Sequence, residues 1–364
     1  MKSFFSHFKR LDWVIIVSAF LLVGIGLLSI YSSSLGKEDF FNFKKQIIFF
    51  GIGIILMILL SFFDWRVFRN DPYLILVLYL FCLISLAGLF WFAPEIRGVK
   101  SWYKIGSISV DPIELTKIVL IILLAKYFSV RHIEMYRIRH IILSGNYVFL
   151  PALLIFLQPD LGSVLILVAL WVGALVISGI KLRHFLILCL CFVLILIFGW
   201  TSLLHPYQKE RIISFVAPQI EPLGAGWSQN QAKIAIGSGG ILGQGFGLGS
   251  QTQYGFLPEP QTDFIFAAIA EEFGLIGISV VLLLFLILLW RIIKIALISQ
   301  SNFSRLFASS LGILLISQVF IHIGMNLGIL PIIGIPLPLI SYGGSSLIAS
   351  FFALGILQNI KINP

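Results

Sequence analysis

A small set of ionisable side chains in this 364-residue chain lies in or beside long apolar runs. Glu114 and Lys117 are three residues apart in DPIELTK, and Asp263 opens the apolar run that carries Glu271 and Glu272. Charged groups inside a membrane segment are costly, and by default they indicate a functional site. A carboxylate at that depth can act as a general base on a polar substrate, or it can bind a proton or a cation in a transporter. The residue types alone leave both chemistries open.

Glu114 and Lys117 share one face of a helix, because residues three apart are neighbours on a helix surface. The preceding Asp111-Pro112 is also typical of a helix start, with an acidic cap, Pro at the first position and an acid in the first turn. In that interpretation Glu114 belongs to the helix start, and Lys117 merely pairs with it. The helix-start interpretation accounts for Glu114, but it accounts less well for the Lys117 ammonium, which lies one turn deeper in the membrane.

Asp263 follows Thr262, a plausible helix cap, so its structural role would be to compensate the helix dipole. At about 100° per residue, Glu271 lies roughly 80° and Glu272 roughly 180° around the helix from Asp263, and both lie about 12 Å deeper. These acids therefore do not form the paired acid and base of a glycosidase. We expect Glu271 and Glu272 to form hydrogen bonds between helices.

Other polar residues give weaker signals. Asp160 lies in the tight turn QPDLG, as a helix cap or a cavity wall, and His322 beside Asn326 is expected to be packed and hydrogen-bonded. No cluster in the sequence has the spacing of a zinc or iron site. The run IGSGGILGQGFG does not fit a phosphate-binding loop, so its glycines predict a close backbone approach or a mobile loop.

The composition decides the class of protein. Hydrophobic residues make up 59% of the chain and charged residues 11%, whereas soluble domains have about 45–50% and about 25%. This excludes a soluble enzyme and a disordered chain, and it predicts an all-α, polytopic membrane protein. The net charge of +9 is explained by basic loops near anionic lipid, and we expect no binding of nucleic acid.

Ten segments are long and apolar enough to span a bilayer, so both termini are expected on one side. The predicted segments are 12–32, 46–64, 72–93, 112–129, 141–158, 161–180, 184–204, 262–290, 306–328 and 340–360. We see no second soluble domain, so residues 1–364 are expected to form a single membrane domain.

The basic residues predict the orientation. Fifteen Lys and Arg residues fall on the side of the termini and nine fall on the other side, so both termini are expected in the cytoplasm. The protein is then a multi-pass protein of the plasma (inner) membrane. Its only long loop, about 205–261, lies on the extracytoplasmic side and has no predicted regular structure, which is typical of a functional or disordered loop.

Several motifs resemble those of a known family, in the family's order. They are RLDW at 10–13, YSSS at 31–34, GVKSWYKIG at 98–106, DPIELTK at 111–117, QPDLGS at 158–163, YQKERI at 207–212, AIGSGG at 235–240, FLPEPQTDFIFAAIAEEFG at 256–274 and GIPLPLISYGGSS at 334–346. The chain resembles the SEDS family (shape, elongation, division and sporulation) over nearly its whole length. The start at RLDW and the GIPLP run are similar to its RodA-like elongation branch rather than to FtsW.

The resemblance implies a peptidoglycan glycosyltransferase. Such enzymes polymerise lipid II into β-1,4-linked glycan strands on the outer face of the plasma membrane, and they work with a class B penicillin-binding protein that crosslinks the peptides. Asp263 matches the family's essential aspartate, which implies a general base for one inverting displacement at the donor sugar. A divalent cation could neutralise the leaving diphosphate in the same way as cationic side chains, and the sequence does not decide whether one is bound.

The resemblance also implies a set of substrate-binding residues. Glu114, Lys117, Asp160 and Arg211 fall on matching motif positions, whereas Lys233 and Gln251 lie in a stretch that follows the family pattern more loosely. Lys117, Arg211 and Lys233 are the candidates to neutralise the diphosphate.

One departure from the family pattern concerns a phosphate contact. The family often has Arg immediately before the Trp of its second outer loop, and here that place is Ser101, with Lys100 adjacent. A lysine is a point charge and does not reproduce the bidentate fork of an arginine.

Two other classes of function stay open at this point. A lipid II flippase or proton-coupled transporter is suggested by the intramembrane acids, although it would need acids reachable from both faces. A non-catalytic scaffold would only recruit a penicillin-binding protein. The crowding of acids at the outer half favours chemistry on an outward-facing substrate.

Overall fold

The computed structural model of the protein describes residues 7–36, 38–94, 101–106, 108–131, 138–202, 209, 213–215 and 225–363. These residues form a helical bundle with one small hairpin. In chain order the elements are α1 (Trp13–Leu35), α2 (Phe41–Phe62), α3 (Arg66–Asn70), α4 (Pro72–Phe92), β1 (Tyr103–Ile105), β2 (Ile108–Val110), α5 (Pro112–Arg131), α6 (Ile138–Phe156), α7 (Leu161–Ile177), α8 (Leu182–Ser202), α9 (Ala225–Ser238), α10 (Ser250–Gln253), α11 (Ile265–Ile298), α12 (Asn302–Leu327) and α13 (Gly344–Ile362).

All ten predicted spanning segments are present as helices, and the described part of the chain includes eight that are long and apolar enough to cross a membrane. The other two are α5, which carries four charged residues, and α7, which has 17 residues. α5 lies inside the bundle, where it packs against α4, α12 and α13. The prediction of an all-α, polytopic membrane protein is confirmed.

The predicted long loop 205–261 is not irregular throughout. It contains α9 and α10, and α9 packs against α11 and α12. A second missed element is the antiparallel hairpin of β1 and β2, whose register pairs Tyr103 with Val110. The Tyr103 hydroxyl donates a hydrogen bond to the Ser85 carbonyl of α4 at 2.6 Å, so the hairpin is anchored to the bundle.

Both ends of the described chain meet on one face of the bundle, which we call the terminal face. Gln358 of α13 exchanges two hydrogen bonds with the backbone of Asp12, at 2.7 and 3.0 Å. The buried Asp12 carboxylate accepts from Nε of Arg291 on α11, at 3.1 and 3.2 Å. The prediction that both termini lie on one side is confirmed. We call the opposite face the site face.

α11 was predicted as one continuous helix, but it is broken at Gly274, where φ is +63° and ψ is −161°. The break removes the usual partners of two carbonyls before it and two amides after it. Residues 239–249, which we call the plug, lie in the gap and satisfy all four groups. The hydrogen bonds run from Gln244 N to Glu271 O, from Gly245 N to Glu272 O, from Leu275 N to Gly240 O and from Ile276 N to Ile241 O, at 2.9 to 3.2 Å.

The glycines of the plug make this close approach possible. A Cβ atom at Gly243, where φ is +83°, would collide with the Glu272 carbonyl, and one at Gly239 would collide with the Ala270 carbonyl. The prediction that these glycines permit close backbone approach is therefore confirmed.

α1 and α11 are joined at two levels. Asp12 binds Arg291 at the terminal face, and the Ser32 hydroxyl donates to the Glu272 carboxylate near the site face. Asp12 and Ser32 are 20 residues apart and Arg291 and Glu272 are 19 apart, which corresponds to about 30 Å of helix. The hydrocarbon core of a bilayer is also about 30 Å thick. The distance between the two contacts is thus close to the thickness of that core.

Replacing Arg291 by Met should destabilise the protein, because it leaves the buried Asp12 carboxylate without its cation. We expect the free energy of unfolding to fall by about 3 kcal/mol, measured by denaturant unfolding in detergent. Arg66→Met is the matched control, since Arg66 and its partner Asp64 are both exposed and such pairs contribute little. Equal effects of the two substitutions would contradict the expectation.

Candidate functional site

Asp263 lies in a turn on the site face, directly before α11. The backbone amides of Thr262 and Phe264 both donate to the Glu259 carbonyl at 3.2 Å, which closes this turn. The helix begins at Ile265, and its N-cap residue is Phe264, which makes no side-chain cap bond. The prediction that Thr262 is the helix cap is therefore wrong, and Asp263 precedes the helix instead of opening it.

Asn326 of α12 holds the turn of Asp263 in place. Its Nδ2 donates to the carbonyl of Asp263 at 3.0 Å and to that of His322 at 2.8 Å, and its Oδ1 accepts from the amide of Ala267 at 3.2 Å. His322 is fully buried, with its Nδ1 2.8 Å from the carbonyl of Ile335. His322 is thus packed and hydrogen-bonded, as predicted.

The segment between α12 and α13, residues 328–343, forms the floor of the site. Gly334 has φ of +71°, and a Cβ atom built there would lie 3.8 Å from Oδ2 of Asp263. A Cβ atom at Gly162 would lie 2.7 Å from the carbonyl of Ile333. The stretch from Ile333 to Gly334 therefore contacts both the Asp263 turn and the turn that contains Asp160.

Two hydrogen bonds fasten this segment to the Asp263 turn. The Ser341 hydroxyl donates to the Thr262 carbonyl at 2.8 Å, and the Tyr342 amide donates to the Gln261 carbonyl at 2.8 Å. The Gln261 side chain in turn accepts from Asn42 at 2.8 Å and donates to Ser34 at 3.2 Å. The position of Asp263 is consequently set by four different parts of the chain.

Glu114 and Lys117 form an ion pair at the start of α5. Lys117 Nζ lies 2.9 Å from Glu114 Oε1, and the two side chains are only 3% and 10% exposed. Asp111 caps the helix by accepting from the amide of Ile113 at 2.9 Å, and its own amide donates to the Ser345 hydroxyl of α13 at 2.8 Å. Both the predicted helix start and the predicted pair are confirmed.

Asp160 belongs to the same electrostatic group. It caps α7 by accepting from the amide and hydroxyl of Ser163 at 3.0 and 2.7 Å. Burial, and to a smaller extent the Glu114 and Asp160 carboxylates, raise the pKa of Asp111 to about 8, while the Lys117 ammonium lowers it. The fold therefore brings Asp111, Glu114, Lys117 and Asp160 together, and burial there favours the protonated form of Asp111 by raising its pKa.

The remaining predicted residues are placed less centrally. Lys233 is exposed on α9, and the end of its side chain packs against Gly328. A Cβ atom built at Gly328 would collide with the Cε and Nζ atoms of Lys233. Gln251 lies in α10, with its buried Oε1 lacking a hydrogen-bond partner within the described ranges. Arg211 lies outside the described residues, as does Lys100. Ser101 is buried, and it brings no charge to the site.

Glu271 and Glu272 are buried hydrogen-bond acceptors. Glu271 accepts from the amides of Gln251 and Thr252 at 2.6 and 3.1 Å, so it caps α10. Glu272 accepts from Ser32 of α1 and from Gln253. The prediction of hydrogen bonds between helices is therefore confirmed for both residues, since Glu271 bonds to α10 and Glu272 bonds to α1.

Sequence reasoning missed three residues that shape the site. Asn326 and Ser341 were not singled out for contact with the Asp263 turn, and Asp111 was considered only as a cap. The signal for Asp111 was available, because an acid three residues from Glu114 and close to a bilayer has reason to be neutral. Nothing in the sequence pairs residues 326 or 341 with residue 263.

The fold and the site define a polytopic helical membrane protein with acids and a buried lysine collected at one face. A family model described as "Cell cycle protein", which covers the FtsW, RodA and SpoVE proteins, matches residues 12–364. The chain therefore belongs to the FtsW/RodA/SpoVE family, and the resemblance to the SEDS proteins is confirmed.

Curated relatives are similar over nearly the whole chain. Peptidoglycan glycosyltransferase MrdB of Escherichia coli K12 is 36% identical over 99% of this chain and 95% of its own length. Stage V sporulation protein E of Bacillus subtilis is 36% identical over 96% of both chains.

Solved structures have the same fold. A chain from a peptidoglycan synthase complex that coordinates polymerization and crosslinking superposes with a TM-score of 0.82 at 29% identity, covering 97% of this chain and 98% of that one. The rod shape determining protein RodA of Thermus thermophilus superposes with a TM-score of 0.71 at 27% identity, covering 96% of both chains.

The raised pKa of Asp111 predicts a pH-dependent stability. Between about pH 4 and pH 8 the folded protein keeps a proton on Asp111 that the unfolded chain has lost. The free energy of unfolding should therefore fall as the pH rises through this window, by at most about 1.4 kcal/mol per pH unit, and level off above pH 8.

Asp111→Asn should flatten this slope, because the amide keeps the cap and does not titrate. The control is Asp71→Asn, which changes the exposed Asp-Pro cap of α4 and should leave the slope as it is. Thermal unfolding of the three proteins between pH 5 and pH 9 measures the difference. An unchanged slope in Asp111→Asn would show that another group is responsible.

Proposed function

We propose that this protein is a peptidoglycan glycosyltransferase that polymerises lipid II during cell elongation. Lipid II is a disaccharide-pentapeptide carried on undecaprenyl diphosphate, so its tail lies in the bilayer and its sugars lie at the surface. The observation that carries the proposal is the fixed turn of Asp263 on the site face, beside the Asp160 turn. Membership of the family and the activity named for the relatives support it.

In this proposal Asp263 is the general base. The acceptor sugar's 4-hydroxyl attacks the anomeric carbon of the donor, the bond from that carbon to the diphosphate breaks, and the hydroxyl proton passes to Asp263. The donor is α-linked and the product β-1,4-linked, so a single displacement with inversion is sufficient. One carboxylate meets the need, because the diphosphate leaves as an anion and needs cations more than an acid.

The cations near the site would stabilise the leaving diphosphate. The Lys117 ammonium has three N–H donors, of which Glu114 takes one. Since Lys117 is almost fully buried, its charge acts at low effective dielectric, where it interacts more strongly with phosphate. Lys233 and Arg211 are the proposed second and third contacts, and Glu114, Asp160 and Gln251 are proposed to bind the sugars or to orient the cations.

We also propose that a divalent cation assists the diphosphate. The described residues contain no group of three or more His, Cys, Asp or Glu side chains that could hold a metal ion. Such a cation would therefore be held mainly by the substrate's phosphates with one carboxylate, for example Asp160, which is a common arrangement for Mg²⁺. Its contribution is charge neutralisation, which overlaps with that of Lys117.

The site face is proposed to be the extracytoplasmic face of the plasma membrane, with the termini in the cytoplasm. This follows the distribution of Lys and Arg residues, which are more numerous on the terminal face. The proposed partner is a class B penicillin-binding protein that crosslinks the peptides of the new strand.

Asp263→Asn should abolish polymerisation while the protein stays folded, because an amide cannot accept the proton. The assay follows labelled lipid II converted to polymer by detergent-purified protein, with and without the class B partner and Mg²⁺. Asp64→Asn, which changes an exposed acid outside the site, is the control and should be fully active. If Asp263→Asn formed polymer at the wild-type rate, Asp263 could not be the general base.

The same assay separates the rival functions. Absence of polymer from the wild type, with partner and Mg²⁺ present, would favour a lipid II transporter, and transport into vesicles would then be measured. Removal of divalent cations by EDTA should lower the rate if the cation acts as proposed, and an unchanged rate would refute that part alone.

A double substitution should separate the roles of Glu114 and Lys117. Lys117→Gln should lower kcat by tenfold or more, on the order of 1.4 kcal/mol of transition-state stabilisation. If Glu114 only positions Lys117, then Glu114→Gln should be milder, and the double variant should resemble Lys117→Gln. Additive losses would instead indicate that Glu114 contacts the substrate itself.

A further inference from the structure

The plug presents a row of exposed apolar side chains beside the break in α11. Ile241 is 69%, Leu242 78% and Leu248 69% exposed, although the plug belongs to a loop. The hydrogen bonds from Leu275 and Ile276 to residues 240 and 241 place the plug directly beside α11. Leu275 and Ile276 are themselves 56% and 52% exposed, so plug and helix form one continuous apolar surface.

We call this surface the rim. It consists of the exposed side chains of Ile241, Leu242, Leu248, Leu275 and Ile276. Farther along α11, the exposed Leu282, Leu283 and Leu286 continue it toward the terminal face. α11 is long and apolar enough to span a membrane, so this continuation lies at the depth of the hydrocarbon core.

The level of the rim in the membrane follows from the two contacts between α1 and α11. The upper contact, between Ser32 and Glu272, lies about 30 Å from the contact between Asp12 and Arg291. The plug adjoins the upper contact, because the Gly247 amide donates to the Ser32 hydroxyl at 3.1 Å. The rim therefore lies where the hydrocarbon core meets the headgroups.

Aromatic side chains support both boundaries. Trp13 and Trp290, which flank the lower contact, are 52% and 64% exposed. At the upper contact Tyr31 stacks on Phe246 of the plug, with ring centroids 6.2 Å apart and planes within 1° of parallel. Exposed Trp and Tyr side chains are typical of the two membrane–water interfaces.

We propose that the plug is an interfacial membrane anchor that inserts Ile241, Leu242 and Leu248 among the acyl chains of the leaflet on the site face. Irregular backbone is tolerated next to lipid only where its polar groups are satisfied. Here α11, at its break, provides hydrogen-bond partners for four backbone groups of the plug. The occupant of the rim is thus bilayer lipid, and the anchor holds independently of whether the chain polymerises lipid II.

The anchor depends on glycine at one position in particular. Gly243 and Gly240 both have positive φ, but a side chain at Gly243 would strike the Glu272 carbonyl, whereas Gly240 has nothing within 4 Å. Gly243→Ala should consequently expel the plug from the break. Gly240→Ala also places a side chain at a positive φ, of +54°, but without the collision, so it is the control for backbone conformation.

Spin labels on single cysteines in phosphatidylcholine vesicles test the anchor. The background carries Cys189→Ser and Cys191→Ser, because these two cysteines are exposed while Cys82 is buried. Leu242→Cys is labelled, and its collision rates with oxygen, which prefers lipid, and with a water-soluble nickel complex are compared. Leu283→Cys provides the lipid reference, and Asn230→Cys, at an exposed polar position of α9, provides the aqueous one.

We expect the oxygen-to-nickel ratio at residue 242 to lie well above that at residue 230 and below that at residue 283. The ratio measured at a labelled Leu248→Cys should be similar to that at residue 242, which shows that the result does not come from a local effect of one label. Gly243→Ala should shift the ratio at residue 242 toward the aqueous value, and Gly240→Ala should not. A ratio equal to that of residue 230, or low access to both reagents, would overturn the proposal.

Discussion

The structure depends on an exchange of backbone hydrogen bonds at the break in α11. A bilayer offers no water to an unpaired amide or carbonyl, so a helix can be interrupted there only where another segment replaces the lost partners. The plug does so with four hydrogen bonds, and the glycines allow the two backbones to meet. The break divides α11 into a short half beside Asp263 and a long half that spans the membrane. Glu271 and Glu272, at the end of the short half, then hold α10 and α1.

The site is assembled from segments that are remote in the sequence. Asp263 is held by Asn326 and by the floor segment 328–343, while the group around Lys117 is tied to α13 through Ser345. Each of these contacts is a short hydrogen bond to backbone rather than a contact between flexible side chains. Such fixation suits a general base, because a base must already be in place when the acceptor hydroxyl loses its proton.

The sequence was informative where the physics is local. Ten apolar segments of about 20 residues follow from the bilayer itself, and the Asp111 cap and the pair of Glu114 with Lys117 follow from helix spacing. What could not be predicted depends on distant partners. The break at Gly274 requires the plug, about 30 residues earlier in the chain, and the Asp263 turn requires Asn326 and Ser341. Thr262 has the right residue type for a cap, but the turn bonded to Glu259 delays the helix by two residues.

The enclosed position of α5 has a consequence for how the protein is made. The four charges of this helix weaken its independent partitioning from the translocon into lipid, since a charge at the centre of a helix costs about 2.5–3.5 kcal/mol and less toward its ends. Two of its neighbours, α12 and α13, are synthesised roughly 200 residues later. Until then, only the helices synthesised earlier or shortly afterwards, such as α4, α6 and α7, can shield the charges of α5 from lipid. The helix that carries Lys117 thus reaches its final surroundings only near the end of synthesis, so truncated chains lack a complete site.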